Sequence, residues 1–331
     1  MSQEEIDSGL ISVIIPTYNR SQFLHRALDS VKSQSYRPVE VLLVDDGSTD
    51  DTEKVVQQWL DKNADSTLSL SYTLKDNEGP SSCRNIGIQQ AKGEFIYFLD
   101  SDDYMHSNLL EEALRALGAG KADCVLFGFD TEASNGSRGT WLPPDQIALK
   151  SYFENELWGY TSSSVKTAKL IFETGSWNEN SNLAEDYEFL GRALLNSKKT
   201  VVLQKPLLTV SKGNDDSLGS RKDSEIGLKH RLIAENSIID EVQKHRSNIP
   251  EKFLGIYSDR LFKTAINMRA KGKCAFGKEL GEMALGLCIP PQTYLSRLKR
   301  FVWSRGRFSC WVWFKLSRVF RFVKAQLARM S

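Results

Sequence analysis

Three short apolar runs early in the chain each end on polar or acidic side chains. Ile11–Ile15 stops at Pro16 and leads to Thr17 and Asn19. Val41–Val44 runs into Asp45-Asp46-Gly47, and Phe95–Leu99 runs into Asp100-Ser101-Asp102-Asp103. Uninterrupted apolar runs of this length read as strands covered on both faces. The intervals carry helical spacing instead, with Phe23, Leu24, Ala27, Leu28 and Val31 within 21–33 and Val55, Val56, Trp59 and Leu60 after the second run. Ser48 with Asp51 three residues on predicts a capping box for that second helix. Leu68–Leu74 alternates as a strand, Ser81–Ala91 and residues 107–117 read as helices, and Val125–Phe129 as a further strand. Strands separated by helices of this length predict an α/β fold, with a Rossmann-like, mainly parallel sheet and helices on both faces.

Between about 130 and 180 the pattern dissolves into a loop-rich stretch with Gly, Ser, Asn, Pro and Trp. A helix near 184–196 and two short strands near 200–210 follow. Beyond the polar stretch Ser211–Ser224 the spacing is wholly helical. The expected organisation is a catalytic domain over 1–218 and a helical C-terminal region over 219–331.

Open parallel sheets bind ligands beyond the carboxyl ends of their strands. Asp and Asn there are also ordinary turn formers, so any one cluster is uninformative. Three clusters on neighbouring strands point to a site. Asp100-x-Asp102 directly after a buried strand suits a hard divalent cation that leaves positions open for phosphate. No Gly-x-Gly-x-x-Gly follows the first strand and no Gly-x-x-x-x-Gly-Lys-[Ser/Thr] exists, which disfavours a dinucleotide oxidoreductase and excludes a P-loop NTPase.

The run Val13-Ile14-Ile15-Pro16-Thr17-Tyr18-Asn19 resembles the opening of the family 2 inverting glycosyltransferases of the GT-A fold. Val44-Asp45-Asp46-Gly47-Ser48-Thr49-Asp50, Gly79 through Arg84-Asn85 with Ala91-Lys92-Gly93-Glu94-Phe95-Ile96, Phe98-Leu99-Asp100-Ser101-Asp102-Asp103, and Ala184-Glu185-Asp186-Tyr187-Glu188-Phe189 resemble the later motifs in order and spacing. The resemblance spans residues 11–192 and implies roles. Pro16, Thr17, Asn19 and Asp46 would hold the nucleotide base, with Asn77 and Arg84 approaching the nucleotide and Asp100 near the ribose. Arg84 reads equally as a helix-surface charge. Asp102 would ligate Mn²⁺ or Mg²⁺, and Asp186 would be the general base. Glu185 would neighbour it in acceptor binding. Trp177 would stack on a sugar face, or else serve as a local core anchor. Lys212 is the cation offered to the diphosphate.

The resemblance thus implies a metal-dependent transferase moving a sugar, most readily from a UDP-sugar, to a hydroxyl of a glycan or lipid-linked acceptor with inversion. The alternative is a non-catalytic, membrane-associated scaffold that keeps the fold. The Gln-x-x-Arg-Trp motif and transmembrane helices of processive synthases are missing, which favours addition of one or a few sugars.

The charge is uneven. Of 43 Lys and Arg against 42 Asp and Glu, ten basic and no acidic residues fall within 283–331, leaving the rest at −9. Trp313, Leu316, Phe320, Val323 and Leu327 share one helical face of a basic amphipathic segment over about 295–331, with Trp303 and Trp311 nearby. That pattern suits an anionic membrane surface. Packing against the catalytic domain is the other reading, and a nucleic-acid partner is disfavoured by the acidic body. Five cysteines without metal spacing, and no secretory signal, predict reduced thiols in a cytoplasmic protein held peripherally at the inner face of the membrane.

Overall fold

A computed structural model describes residues 6–63, 68–118, 120–144, 148–154, 161–212 and 224–287. The segment over 295–331, with its tryptophans, lies outside the described residues.

The first elements are β1 (Asp7–Thr17), α1 (Ser21–Lys32), β2 (Val39–Asp45), α2 (Thr52–Asn63) and β3 (Leu68–Leu74). They are followed by α3 (Pro80–Gln90), β4 (Gly93–Phe98), β5 (Tyr104–Met105), α4 (Leu109–Leu117), β6 (Cys124–Ala133) and β7 (Arg138–Trp141). Then come α5 (Ala148–Glu154), β8 (Ser164–Thr167), α6 (Ala168–Thr174), α7 (Glu185–Asn196) and β9 (Thr200–Lys212). The remaining helices are α8 (Glu225–Lys244), α9 (Glu251–Ala270) and α10 (Cys274–Leu287).

Among the described residues, nine strands form one mixed sheet in the order β3-β2-β1-β4-β8-β6-β9-β5, with β7 paired to β6. The pairs β1–β2, β1–β4, β2–β3 and β6–β9 are parallel, while β8 runs antiparallel to both β4 and β6. Alternation along β1 divides the core. Ile11, Val13 and Ile15 pack with Leu24, Leu28, Val56, Trp59, Leu109 and Leu110 of α1, α2 and α4. Ile14 faces the other way, with Leu42, Ile96, Phe98, Ile171 of α6, Trp177 and Phe189 of α7. Both faces are therefore covered, as continuous apolar strands require.

Three expectations are corrected. The stretch 130–180 holds β7, α5, β8 and α6, because Ser164–Thr167 is too short and too polar to announce a strand. The two strands near 200–210 are one, β9, whose pairing with β6 shifts register between Phe127 and Phe129. Ser48 does not cap α2. Its Oγ accepts the Asn19 N–H at 2.8 Å, while Asp50 accepts the N–H and hydroxyl of Thr52 at 3.1 and 2.5 Å.

Contacts divide the chain into two compact units, residues 1–152 with 156–230, and residues 153–155 with 231–331. Within the second unit, the buried carboxylate of Glu235 accepts from Arg231 Nε at 3.0 Å, Tyr257 Oη at 2.6 Å and Arg260 Nη2 at 3.1 Å.

Candidate active site

The carboxyl ends of β1 and β2 lie side by side, with Thr17 in register with Asp45. Asn19 takes a positive φ of 51°, and its Oδ1 accepts the Thr49 N–H at 2.8 Å, tying together the loops that follow β1 and β2. Pro16 and Thr17 are buried, and the Thr17 hydroxyl has no partner among the described residues. Asp45 accepts the Ser48 N–H and the Tyr72 hydroxyl, each at 2.8 Å. Asp46 accepts from Lys75 Nζ at 2.9 Å and from the N–H groups of Glu78 and Gly79 at 2.9 and 2.7 Å. Its carboxylate thus fixes the loop entering α3, on which Asn77 is exposed. Lys75 and Tyr72 belong to this network, and no motif in the sequence pointed to them.

One guanidinium gathers the remaining motifs. The Arg84 side chain, 4 % exposed, donates from Nη2 to Asp100 Oδ1 at 2.9 Å and lies 3.9 Å from Asp186 Oδ1. Its Nη1 is 4.0 Å from Glu185 Oε1. Burial alone would draw the guanidinium down, but Asp100, Asp186 and Glu185 outweigh it and hold the group above its ordinary value. The reading of Arg84 as a helix-surface charge is corrected by this burial. Asp100 and Asp186 each keep 30 % of the side chain exposed, so both carboxylates reach solvent.

The acidic turn after β4 is held from beneath. Arg26 of α1 donates to the Asp102 carbonyl at 3.0 Å and to Ser211 Oγ at 2.6 Å, and Ser211 Oγ donates to the same carbonyl at 2.7 Å. Asp103 is buried and accepts the Ser211 N–H at 3.0 Å. Burial first, then the charges of Asp100 and Asp102, push its carboxyl well above the usual carboxylate range. The Asp102 carboxylate itself is a quarter exposed and lies 3.9 Å from Arg20 Nε. Lys212, next to Ser211 at the end of β9, is exposed.

Trp177 is where the sugar-stacking expectation fails. It is 2 % exposed and stacks on Phe189 with ring centroids 4.0 Å apart and planes 5° apart. Phe98 meets it edge-on at 5.1 Å, and the Arg84 guanidinium lies 4.5 Å from its ring centroid on α3's side. With its faces occupied, the indole has no surface for a sugar and serves as a core anchor. Asn85, which the sequence reading quoted within a motif without giving it a role, bonds both the N–H and the C=O of Trp177.

The model of the family described as Glycosyl transferase family 2 matches residues 12–177, half of the chain, and ends on that anchor. The chain belongs to glycosyl transferase family 2. Among its relatives, the GalNAc(5)-diNAcBac-PP-undecaprenol beta-1,3-glucosyltransferase of Campylobacter jejuni is 40% identical over 175 residues, covering 51% of this chain and 55% of that protein. The poly(ribitol-phosphate) beta-N-acetylglucosaminyltransferase TarS of Staphylococcus aureus is 30% identical over 255 residues, covering 73% of this chain and 43% of that one. The chain spans roughly half the length of the curated relatives it matches. The solved structure of S. aureus TarS 1-349 in complex with UDP superposes with a TM-score of 0.62 at 22% identity, over 88% of this chain and 86% of that one. The mannosyltransferase PcManGT from Pyrobaculum calidifontis, in complex with GDP-Man and Mn²⁺, superposes with a TM-score of 0.52 at 14% identity, over 96% of this chain and 86% of that one. These likenesses establish the GT-A fold.

Proposed function

We propose that this family member transfers a sugar from a nucleotide-sugar, a UDP-sugar first among the options, to a hydroxyl of a glycan or lipid-linked acceptor, with inversion. The observation that carries the reading is the buried Arg84 guanidinium with Asp100, Glu185 and Asp186 around it. Three motifs far apart in sequence meet there, beyond the carboxyl end of β4, where open α/β sheets bind ligands. The UDP-bound TarS structure and the lipid-linked acceptor in the name of the Campylobacter relative support the choice of donor and acceptor.

In this reading Pro16, Thr17, Asn19 and Asp46 define the nucleoside pocket, Asn77 borders it, Asp100 turns toward the ribose and Lys212 toward the diphosphate. Asp186 takes the proton of the acceptor hydroxyl as its oxygen attacks the anomeric carbon, a general-base role that contributes about 10²–10⁴-fold. Glu185 holds the acceptor. Attack from the face opposite the leaving group, in one displacement, inverts the anomeric configuration.

Asp102 is the residue that would hold Mn²⁺ or Mg²⁺. Among the described residues no three His, Cys, Asp or Glu side chains form a preassembled ligand set. The acidic turn fits a divalent ion all the same. Asp100 and Asp102 bring two partly exposed carboxylates to one turn, and such ions bind through one or two carboxylates plus substrate phosphates. When bound, the ion supplies Lewis-acid neutralisation of the leaving diphosphate.

The test is a screen of nucleotide-sugar hydrolysis with and without Mn²⁺. Metal-stimulated release of one nucleoside diphosphate is the expected result, and no turnover of any nucleotide-sugar would contradict the reading.

A further inference from the structure

Two consecutive residues of α3 grip Trp177 from different sides. Arg84 lies against its ring, 4.5 Å from the centroid. Asn85 Oδ1 accepts the Trp177 N–H at 2.7 Å, and its Nδ2 donates to the Trp177 carbonyl at 3.1 Å and to Glu179 Oε1 at 2.7 Å. The indole in turn lies flat on Phe189, one turn of α7 beyond Asp186. Its Nε1 is buried without a partner among the described residues, so the ring is held by shape and stacking and not by its polar atom.

We propose that Asn85 and Trp177 form a clasp that fixes the separation between α3 and the first turn of α7, and through it the placement of Asp186 against Arg84. Both are positioning residues. The inference rests on the reading of Asp186 as the base. A side-chain amide that bonds both backbone groups of one residue fixes that residue's position and orientation at once. The stacked ring carries that constraint to α7. Arg84 then meets Asp186 at 3.9 Å because the same helix that carries the guanidinium holds the wedge beneath α7. A base displaced by a fraction of an ångström loses rate while the donor pocket, built at the ends of β1 and β2, keeps its affinity.

The experiment compares Asn85→Ala, Trp177→Phe, Glu179→Ala and Asp186→Asn in the full chain. Hydrolysis of the nucleotide-sugar found by the screen gives kcat, and calorimetric titration with the matching nucleoside diphosphate gives the donor-side Kd. The clasp predicts about a tenfold lower kcat for Asn85→Ala with Kd within twofold. It predicts near wild-type kcat for Trp177→Phe, which keeps the flat contact with Phe189 and both backbone groups. Glu179→Ala, at an exposed position where folding is not at risk, should lower kcat about threefold by loosening Asn85. Wild-type kcat in both Asn85→Ala and Glu179→Ala would overturn the clasp. So would a collapse of nucleotide affinity in Asn85→Ala, which would make it a binding residue. If Asn85→Ala fails to fold, Glu179→Ala decides alone. Activity retained in Asp186→Asn would instead refute the base assignment, whereas an inactive Asp186→Asn beside unaffected Asn85→Ala and Glu179→Ala would refute only the clasp.

Discussion

A buried guanidinium is tolerable only where carboxylates surround it, and Arg84 meets that condition with Asp100, Glu185 and Asp186. Removing the cation leaves three acidic groups facing one another. Arg84→Met should therefore lose about 3 kcal/mol of stability by chemical denaturation, as expected when one partner of a buried ionic cluster is deleted. Asp102→Asn is the contrasting case. Its side chain is partly exposed at a strand end and contributes nothing to the core, so folding should survive while Mn²⁺-stimulated turnover falls by at least tenfold. Full activity of the wild type in excess EDTA would contradict the metal role. The acidic positions at strand ends were legible because apolar runs lead straight into them. The burial of Arg84 was not, since nothing within Ser81–Ala91 distinguishes a residue facing a partner helix from one facing water. Trp177 stayed open between sugar stacking and core anchoring for the related reason that its ring partners, Phe98 and Phe189, come from distant motifs.

Among the elements, α3 packs on β1 through Gly87. A Cβ added at Gly87 would lie 2.4 Å from Ile14 Cγ2, so the helix reaches the sheet only because residue 87 lacks a side chain. Gly87→Ala should cost about 1–3 kcal/mol, the range for overpacking a filled core, and should lower the melting temperature without touching a polar group. A melting temperature equal to the wild type would show that α3 can shift outward freely. The long apolar strands and their helices were readable from periodicity. The strand β8 was not, because a four-residue Ser-Val-Lys-Thr segment owes its place to the neighbours β4 and β6 and not to its own propensity. In the second unit, Glu235 links α8 to α9. Burial would raise its carboxyl, but Arg260, Arg231 and the Tyr257 hydroxyl outweigh burial and bring it to about 2. A carboxylate depressed on folding stabilises fully above its unfolded value of about 4.3, and that contribution is lost as pH falls toward the folded value. The melting temperature of Glu235→Gln should lie below the wild type at pH 7, with the gap closing between about pH 4.3 and pH 2. A gap independent of pH would mean that the carboxylate's charge is not what stabilises the pair.

For the whole molecule, membership of family 2 is shown by residues 12–177, while the acidic body and the basic segment over 295–331 remain a sequence-level contrast. No helix among the described residues is long and apolar enough to cross a membrane. We propose that the basic segment attaches the protein to anionic lipid. Each Lys or Arg near such a surface contributes about 1 kcal/mol before screening. The full chain should float with vesicles containing anionic lipid, and a chain ending at Pro291 should not, while still hydrolysing a soluble nucleotide-sugar. Flotation of the truncated chain would place the anchor elsewhere. If Asp186, held beside Arg84, is a general base apart from the donor pocket, Asp186→Asn should keep nucleotide affinity and lose turnover. Calorimetric titration beside a turnover assay of this variant should give nucleotide affinity within twofold of wild type with kcat lower by about 10²–10⁴-fold. Turnover at the wild-type rate, or loss of nucleotide binding in step with activity, would contradict it.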